Sequence, residues 1–124
     1  MLFNSLDFKA MESSLNAAYM KQELISQNLA NLDTPEYKAK EFSFENAMER
    51  ALGDADLKNG GDYAFKAEIK ESQNTTVRVD GNNVDADKES MELYSSYLQS
   101  AYLVEKINAV IGNFRYVLNQ SQFK

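Results

Sequence analysis

Two acidic clusters, Asp54/Asp56 and Asp85/Asp87/Glu89, are the places where this sequence could do ionic chemistry, since grouped carboxylates are the usual ligands of calcium. Neither follows the spacing of a twelve-residue loop that ends in a bidentate glutamate. Solvated faces and helix starts account for them better. The chain has no histidine and no cysteine, so the commonest general base and the thiolate zinc site are both missing. Catalysis would have to rest on a carboxylate pair, and nothing in the pattern brings two together in an apolar pocket. Gly60-Gly61 reads as a turn, because no lysine and hydroxyl follow where a phosphate loop needs them. Neither an enzyme nor a cofactor or metal protein is expected.

The remaining polar groups that stand out are amides. Asn28 and Asn31 lie three apart, just before Thr34 and Pro35, the only proline. Asn82 and Asn83 follow Asp80-Gly81. Spacing leaves their roles open. Asn28 and Asn31 are either solvated positions near a helix end, with Asn31 as a cap, or makers of inter-subunit hydrogen bonds. Asn82-Asn83 is first turn chemistry, since Gly and Asn tolerate left-handed backbone, and second a docking element.

The elements that carry these residues are long. From residue 5 to 32 apolar positions recur at alternating steps of three and four: Phe8, Met11, Leu15, Ala18, then Gln22, then Ile25, Leu29 and Leu32. This is a heptad seam on a helix of roughly 40 Å. Gln22 interrupts it with a polar group that needs a partner. The ring of Pro35 excludes Thr34 from helical geometry, so the helix stops there. A second seam begins after Asp85, a candidate N-cap, and runs through Leu93, Tyr97, Ser100, Val104, Ile107, Ile111, Phe114 and Leu118. Leu15, Ile25, Leu29, Val104, Ile107, Ile111 and Phe114 are the expected contacts between the two helices.

Between them lies a different kind of sequence. Residues 43–52 suit a short helix capped by Ser43 with Gly53 just past its end, and Asp54–Asp62 a turn or loop. Tyr63, Phe65, Ala67 and Ile69 alternate with charged residues in the pattern of a half-buried strand, which could pair with Thr75–Val79 as a β-hairpin. A lone hairpin is marginal in water, so the Tyr63/Phe65/Ile69 face needs a helix or a second subunit over it. The expected fold is mainly α: long N- and C-terminal helices packed as an antiparallel coiled-coil hairpin, with a small central insert containing a short helix and a β-hairpin. Residues 1–34 and 84–124 form the discontinuous helical domain, and 35–83 the insert.

At 124 residues, 44% apolar, the chain supports one domain with a modest core. Its net charge of −6, without a basic run, argues against nucleic acid or an anionic membrane as partner. No stretch is apolar enough for membrane insertion. The N-terminal MLFNSLDFKAMESS lacks the basic start and apolar core of a cleavable secretory signal.

Asn28, Ala30, Asn31, Thr34, Pro35, Tyr37 and Lys38 resemble the N-terminal signature of the bacterial flagellar rod and hook proteins, roughly N-x-A-N-x-x-T-P-G-Y-K. That pattern usually has glycine where this chain has Glu36. Asp80–Glu89, with Gly81, Asn82, Asn83, Val84, Asp85, Asp87 and Lys88, is similar to the D-G-N-N-V-D-x-x-x-E stretch of proximal rod members of that family. Methionine often follows the glutamate there, whereas here Ser90 does and Met91 comes next.

The resemblance implies a structural subunit of the proximal rod in the flagellar basal body. Its implied partners are copies of itself, other rod proteins, and adaptor proteins of the membrane ring and export gate. Export without a cleaved signal peptide, through the flagellar type III apparatus to a periplasmic rod, is implied with it. The competing reading is a soluble helical adaptor or export chaperone that holds one partner helix in a Tyr/Phe-rich groove.

Overall fold

A computed structural model describes residues 6–43, 68–72 and 77–121. Within them the order is α1 (Leu6–Ala30), β1 (Lys40–Ser43), β2 (Glu68–Glu71) and α2 (Ala86–Ser121). Of the short helix expected over 43–52, Ser43 lies at the end of β1; its other residues, the turn at 54–62, the strand residues Tyr63, Phe65 and Ala67, and Thr75 and Thr76 lie outside the described residues.

The two helices pack side by side and antiparallel. Asn28 near the end of α1 meets Glu89 in the first turns of α2, and Ala18, further back along α1, meets Ser96, further on. With 36 residues against 25, α2 runs about 16 Å past Leu6. Every residue from Gly112 to Gln120 is exposed.

The line of closest approach is built from small residues. Ala17 and Ala18 on α1 face Ser96 and Ser100 on α2, all four buried, so the backbones come close enough for the Ser96 hydroxyl to donate to the Ala18 carbonyl at 3.2 Å. Gln22, the polar break in the α1 seam, finds its partners there. Its Nε2 donates to the Ser96 carbonyl at 3.2 Å and to the Ser100 hydroxyl at 3.1 Å.

This contact sets the rotation of α2 and corrects its expected seam. The inward stripe passes through Glu89, Leu93, Ser96, Ser100, Leu103, Ile107 and Val110/Ile111, again in steps of three and four. Tyr97 is 65% exposed, Val104 37%, Phe114 43% and Leu118 52%. A serine allows a close approach that a tyrosine one position later forbids, so the register with the smaller residues faces α1.

The sheet also differs from expectation. β2 pairs antiparallel with β1, Phe42 opposite Ile69, and not with 77–79, the described part of the expected partner strand. Residues 77–80 turn instead: the Gly81 N–H donates to the Arg78 carbonyl and the Arg78 N–H to the Asn82 carbonyl. That turn lays 80–83 against 36–39, where the Glu36 N–H donates to Asp80 and the Asn83 N–H to Tyr37.

Candidate functional site

At the end where α1 stops and α2 starts, the two signature stretches meet. Helix α1 ends at Ala30, and the following residues form tight turns, with the Leu32 N–H donating to Leu29 and the Thr34 N–H to Asn31. A helix end leaves carbonyls without partners, and buried ones must be satisfied.

Backbone N–H groups of the turns serve Gln27, Asn28 and Leu29, and Asn82 serves the carbonyls of the turns themselves from 48 or more residues away in the chain. Its fully buried Nδ2 donates to the carbonyls of Asn31 (2.9 Å), Leu32 (3.1 Å) and Thr34 (2.8 Å), while its Oδ1 accepts the Val84 N–H at 2.7 Å. One side chain thus caps α1 and orders the entry to α2. Arg78 adds a further donor to the Leu32 carbonyl.

Asn83 performs the equivalent task for the sheet. Its Oδ1 accepts the Ala39 N–H at 2.6 Å and its Nδ2 donates to the Ser72 carbonyl at 2.9 Å, bridging the start of β1 and the end of β2. Asn28, fully buried on α1, pairs with one residue of β1 as a strand would: Oδ1 accepts the Lys40 N–H at 2.9 Å and Nδ2 donates to the Lys40 carbonyl at 2.8 Å. The same Nδ2 donates to Glu89 Oε2 at 3.1 Å, and the Tyr37 hydroxyl reaches Asn28 Oδ1. Three asparagines therefore tie α1, both strands and α2 into one clasp.

The other signature residues sit around it. Asn31 uses its side chain locally, donating to the Gln27 carbonyl and accepting the Thr34 hydroxyl. Ala30 and Pro35 are exposed at the turn, and Val84 is buried beneath it. Asp85 caps α2, its Oδ1 accepting the N–H groups of Asp87 and Lys88. The Asp85 side chain is spent on that cap, while the Glu89 side chain bonds Asn28 in the clasp. Among the expected helix contacts Ile25 is buried, and Leu15, Leu29, Ile107 and Ile111 are half-buried.

Charges at the clasp fall into two groups. Lys88 Nζ lies 2.8 Å from Glu41 Oε1, which also accepts the Ser72 hydroxyl; these hydrogen bonds, that of Lys88 foremost, hold the Glu41 carboxyl below its usual range and the Lys88 ammonium above its own. Glu89 is different. It is 5% exposed, and loss of water pushes its carboxyl up despite the Asn28 amide. Burial, with the nearby Glu89 charge, raises the Tyr37 hydroxyl as well.

Sequence reading placed Glu89 at the helix start and missed its role as the partner of Asn28. Lys40, Ser72, Ser96 and Ser100 were not singled out as polar partners at all. Only Gln22 carried a readable signal, as a polar residue on an apolar stripe.

Buried polar groups here are spent on joining the chain to itself, while apolar side chains line the outside of α2. That defines a structural helical protein, held by a polar clasp at one end of a long helical hairpin. The comparisons agree. The chain is 35% identical to the flagellar basal body rod protein FlgB of Bacillus subtilis over 87% of its own length and 89% of the relative's. It is 27% identical to FlgB of Buchnera aphidicola, over 94% and 98%, and 29% to FlgB of Borreliella burgdorferi, over 86% and 95%. No family model matches. The chain belongs to the flagellar basal body rod protein FlgB family.

Proposed function

We propose that the chain is a subunit of the proximal rod, assembling helically with copies of itself and with other rod proteins to carry torque from the membrane ring to the hook. The observation that carries this reading is the outward flank of α2. Met91 (75% exposed), Tyr94, Leu98 and Tyr102 (60%) follow one another at steps of three, four and four, which is a second apolar stripe beside the one that faces α1. Exposed apolar area of this extent marks an association surface. Tyr97, Val104, Phe114 and Leu118 extend it toward the overhanging end of α2. A heterologous contact between identical subunits that does not close gives a helical assembly.

The clasp suits torque, because it fixes the angle between helices and insert with directional hydrogen bonds. The terminal helices act as one unit, with residues 35–83 as the insert. The chain reaches the periplasmic rod through the flagellar type III apparatus, without a cleaved signal peptide, and meets adaptor proteins of the ring and export gate at its base. An absence of cysteine and a helix interface made largely of alanine and serine favour unfolding for export.

Charge on the outer stripe tests the reading. Leu98→Glu with Tyr102→Glu leaves the clasp untouched, so the monomer is expected to keep its helicity while rod particles disappear in electron micrographs and motility is lost. Normal motility in that variant contradicts the proposal. Discrete dimers in place of rods for the unaltered chain point to the adaptor reading.

A further inference from the structure

Beside the clasp a cleft of about 300 Å³ opens between α1, β1 and the first turns of α2. Leu24, Ile25 and Phe42 line its apolar wall, and Glu89 lies at its inner side. We propose that this cleft seats a cationic side chain, ammonium or guanidinium, from a neighbouring subunit, with the Glu89 carboxylate as its counter-charge.

The Glu89 charge is only partly offset: Lys88 acts on it through space, but the Lys88 ammonium is bonded to Glu41. Glu89 Oε2 accepts only the Asn28 amide, and Oε1 accepts no hydrogen bond among the described residues. Burying a carboxylate with one neutral donor is costly, and such groups are normally paired. Two of the three lysines that line the cleft are committed elsewhere. Lys88, next in sequence, is held by Glu41, and Lys21, across the cleft, by Glu92. Lys40 also lines the cleft, yet makes no ion pair among the described residues. The Tyr37 hydroxyl, the remaining titratable group close to Glu89, is neutral and turned to Asn28.

Shape points the same way. An apolar wall leading to a buried carboxylate fits a lysine or arginine, whose methylene stem packs on apolar surface while its head seeks a charge. The Glu41 and Glu92 carboxylates share the cleft, partly exposed, and each can bond a guanidinium edge without leaving its lysine. Burial raises the Glu89 carboxyl, and a cation seated beside it would lower it again.

The identity of the donor rests on the rod reading, but the seat itself is tested on the single chain. Propylguanidinium and propylammonium serve as probes, with sodium chloride at equal ionic strength as control, and the Glu89 side-chain carboxyl is followed by carbon-13 NMR across a pH titration. The expected result is a saturable shift with probe at low millimolar concentration, with the Glu89 midpoint moved down toward the ordinary carboxylate range and unchanged by salt. In Glu89→Gln the probe is expected to leave the Ile25 and Phe42 signals unmoved. A midpoint equal in probe and salt overturns the proposal. A second reading covers the assembled state: solid-state NMR of rod particles is expected to find Glu89 ionised at neutral pH, and a protonated carboxyl there overturns the seat even if rods form. Binding of the probe by a chain that never forms rods refutes the rod reading and leaves the seat standing.

Discussion

Replacing Asn82 by aspartate keeps the size of the side chain and the acceptor for the Val84 N–H, but removes both protons that serve Asn31, Leu32 and Thr34. Two net hydrogen bonds are worth about 2 kcal/mol, and a buried carboxylate oxygen turned on carbonyls without a donor of its own costs about 1–3 kcal/mol more. Each of the three carbonyls keeps one other donor, the Thr34 N–H for Asn31, Arg78 for Leu32 and the Tyr37 N–H for Thr34, so the expected loss is roughly 3–5 kcal/mol, set by the lost bonds and the buried charge. That is a large share of the about 5–15 kcal/mol available to a small domain. Asn31→Ala supplies the contrast, because the Asn31 side chain bonds only to Gln27 and Thr34 at the surface, and its loss should cost about 1 kcal/mol or less. Urea unfolding followed by circular dichroism measures both. The aspartate variant should also recover part of its stability on acidification, when its carboxyl regains a proton to donate. Equal midpoints for the two variants, or an Asn82→Asp loss below about 1 kcal/mol, would refute the role of Asn82 as the cap of α1.

Glu36 adopts a left-handed backbone, φ 61°, where a side chain costs about 1–2 kcal/mol, so Glu36→Gly should raise stability by about 0.5–1 kcal/mol after the added freedom of the unfolded chain is subtracted, as read by thermal melting. Glu89→Gln keeps an acceptor for Asn28 without the charge. Because the folded carboxyl is raised above its unfolded value of 4.5, wild-type stability from this group is fully present below 4.5 and lost as pH rises through the folded value. The variant should therefore be the more stable at neutral pH, with the difference vanishing below 4.5; denaturant midpoints against pH show it. Ser96→Leu, at the closest helix approach, should cost about 1–3 kcal/mol by overpacking, whereas Tyr97→Leu on the exposed side should stay within about 0.5 kcal/mol. A reversed order in chemical denaturation would show that α2 is rotated the other way.

The two long helices were legible because heptad steps are a property of local sequence, and Asp85 because a cap acts within one turn. The rotation of α2 was not, since Ser96 and Tyr97 offer equally regular stripes and only the presence of Ala17 and Ala18 opposite selects the smaller one. The pairing of β1 with β2 was hidden for a related reason. Its register is set by Asn28 and Asn83 reaching across from other elements, and no alternation in Lys40–Ser43 announces it. Asn82 was visible as turn chemistry, yet its side chain acts on carbonyls around 50 residues away, a relation that spacing does not encode. The left-handed Glu36 follows from that contact: Gly81 packs so near that a Cβ there would lie 3.3 Å from Glu36 Cα, and the Glu36 N–H is drawn to Asp80.

The buried apolar set among the described residues is small, Ala17, Ala18, Leu24, Ile25, Ala39 and Val84, while the outer stripe of α2 is large. Long helices with so little to cover them should gain most of their stability from neighbours. The most direct measurement is far-UV circular dichroism of the purified chain over a hundredfold concentration range, with limited proteolysis and electron microscopy on the same samples, alone and with other rod proteins. A rod subunit should gain helix and protease resistance at the end of α2 as concentration rises or partners are added, together with rod-like particles. Full helicity, resistant termini and discrete small particles at every concentration would contradict the account.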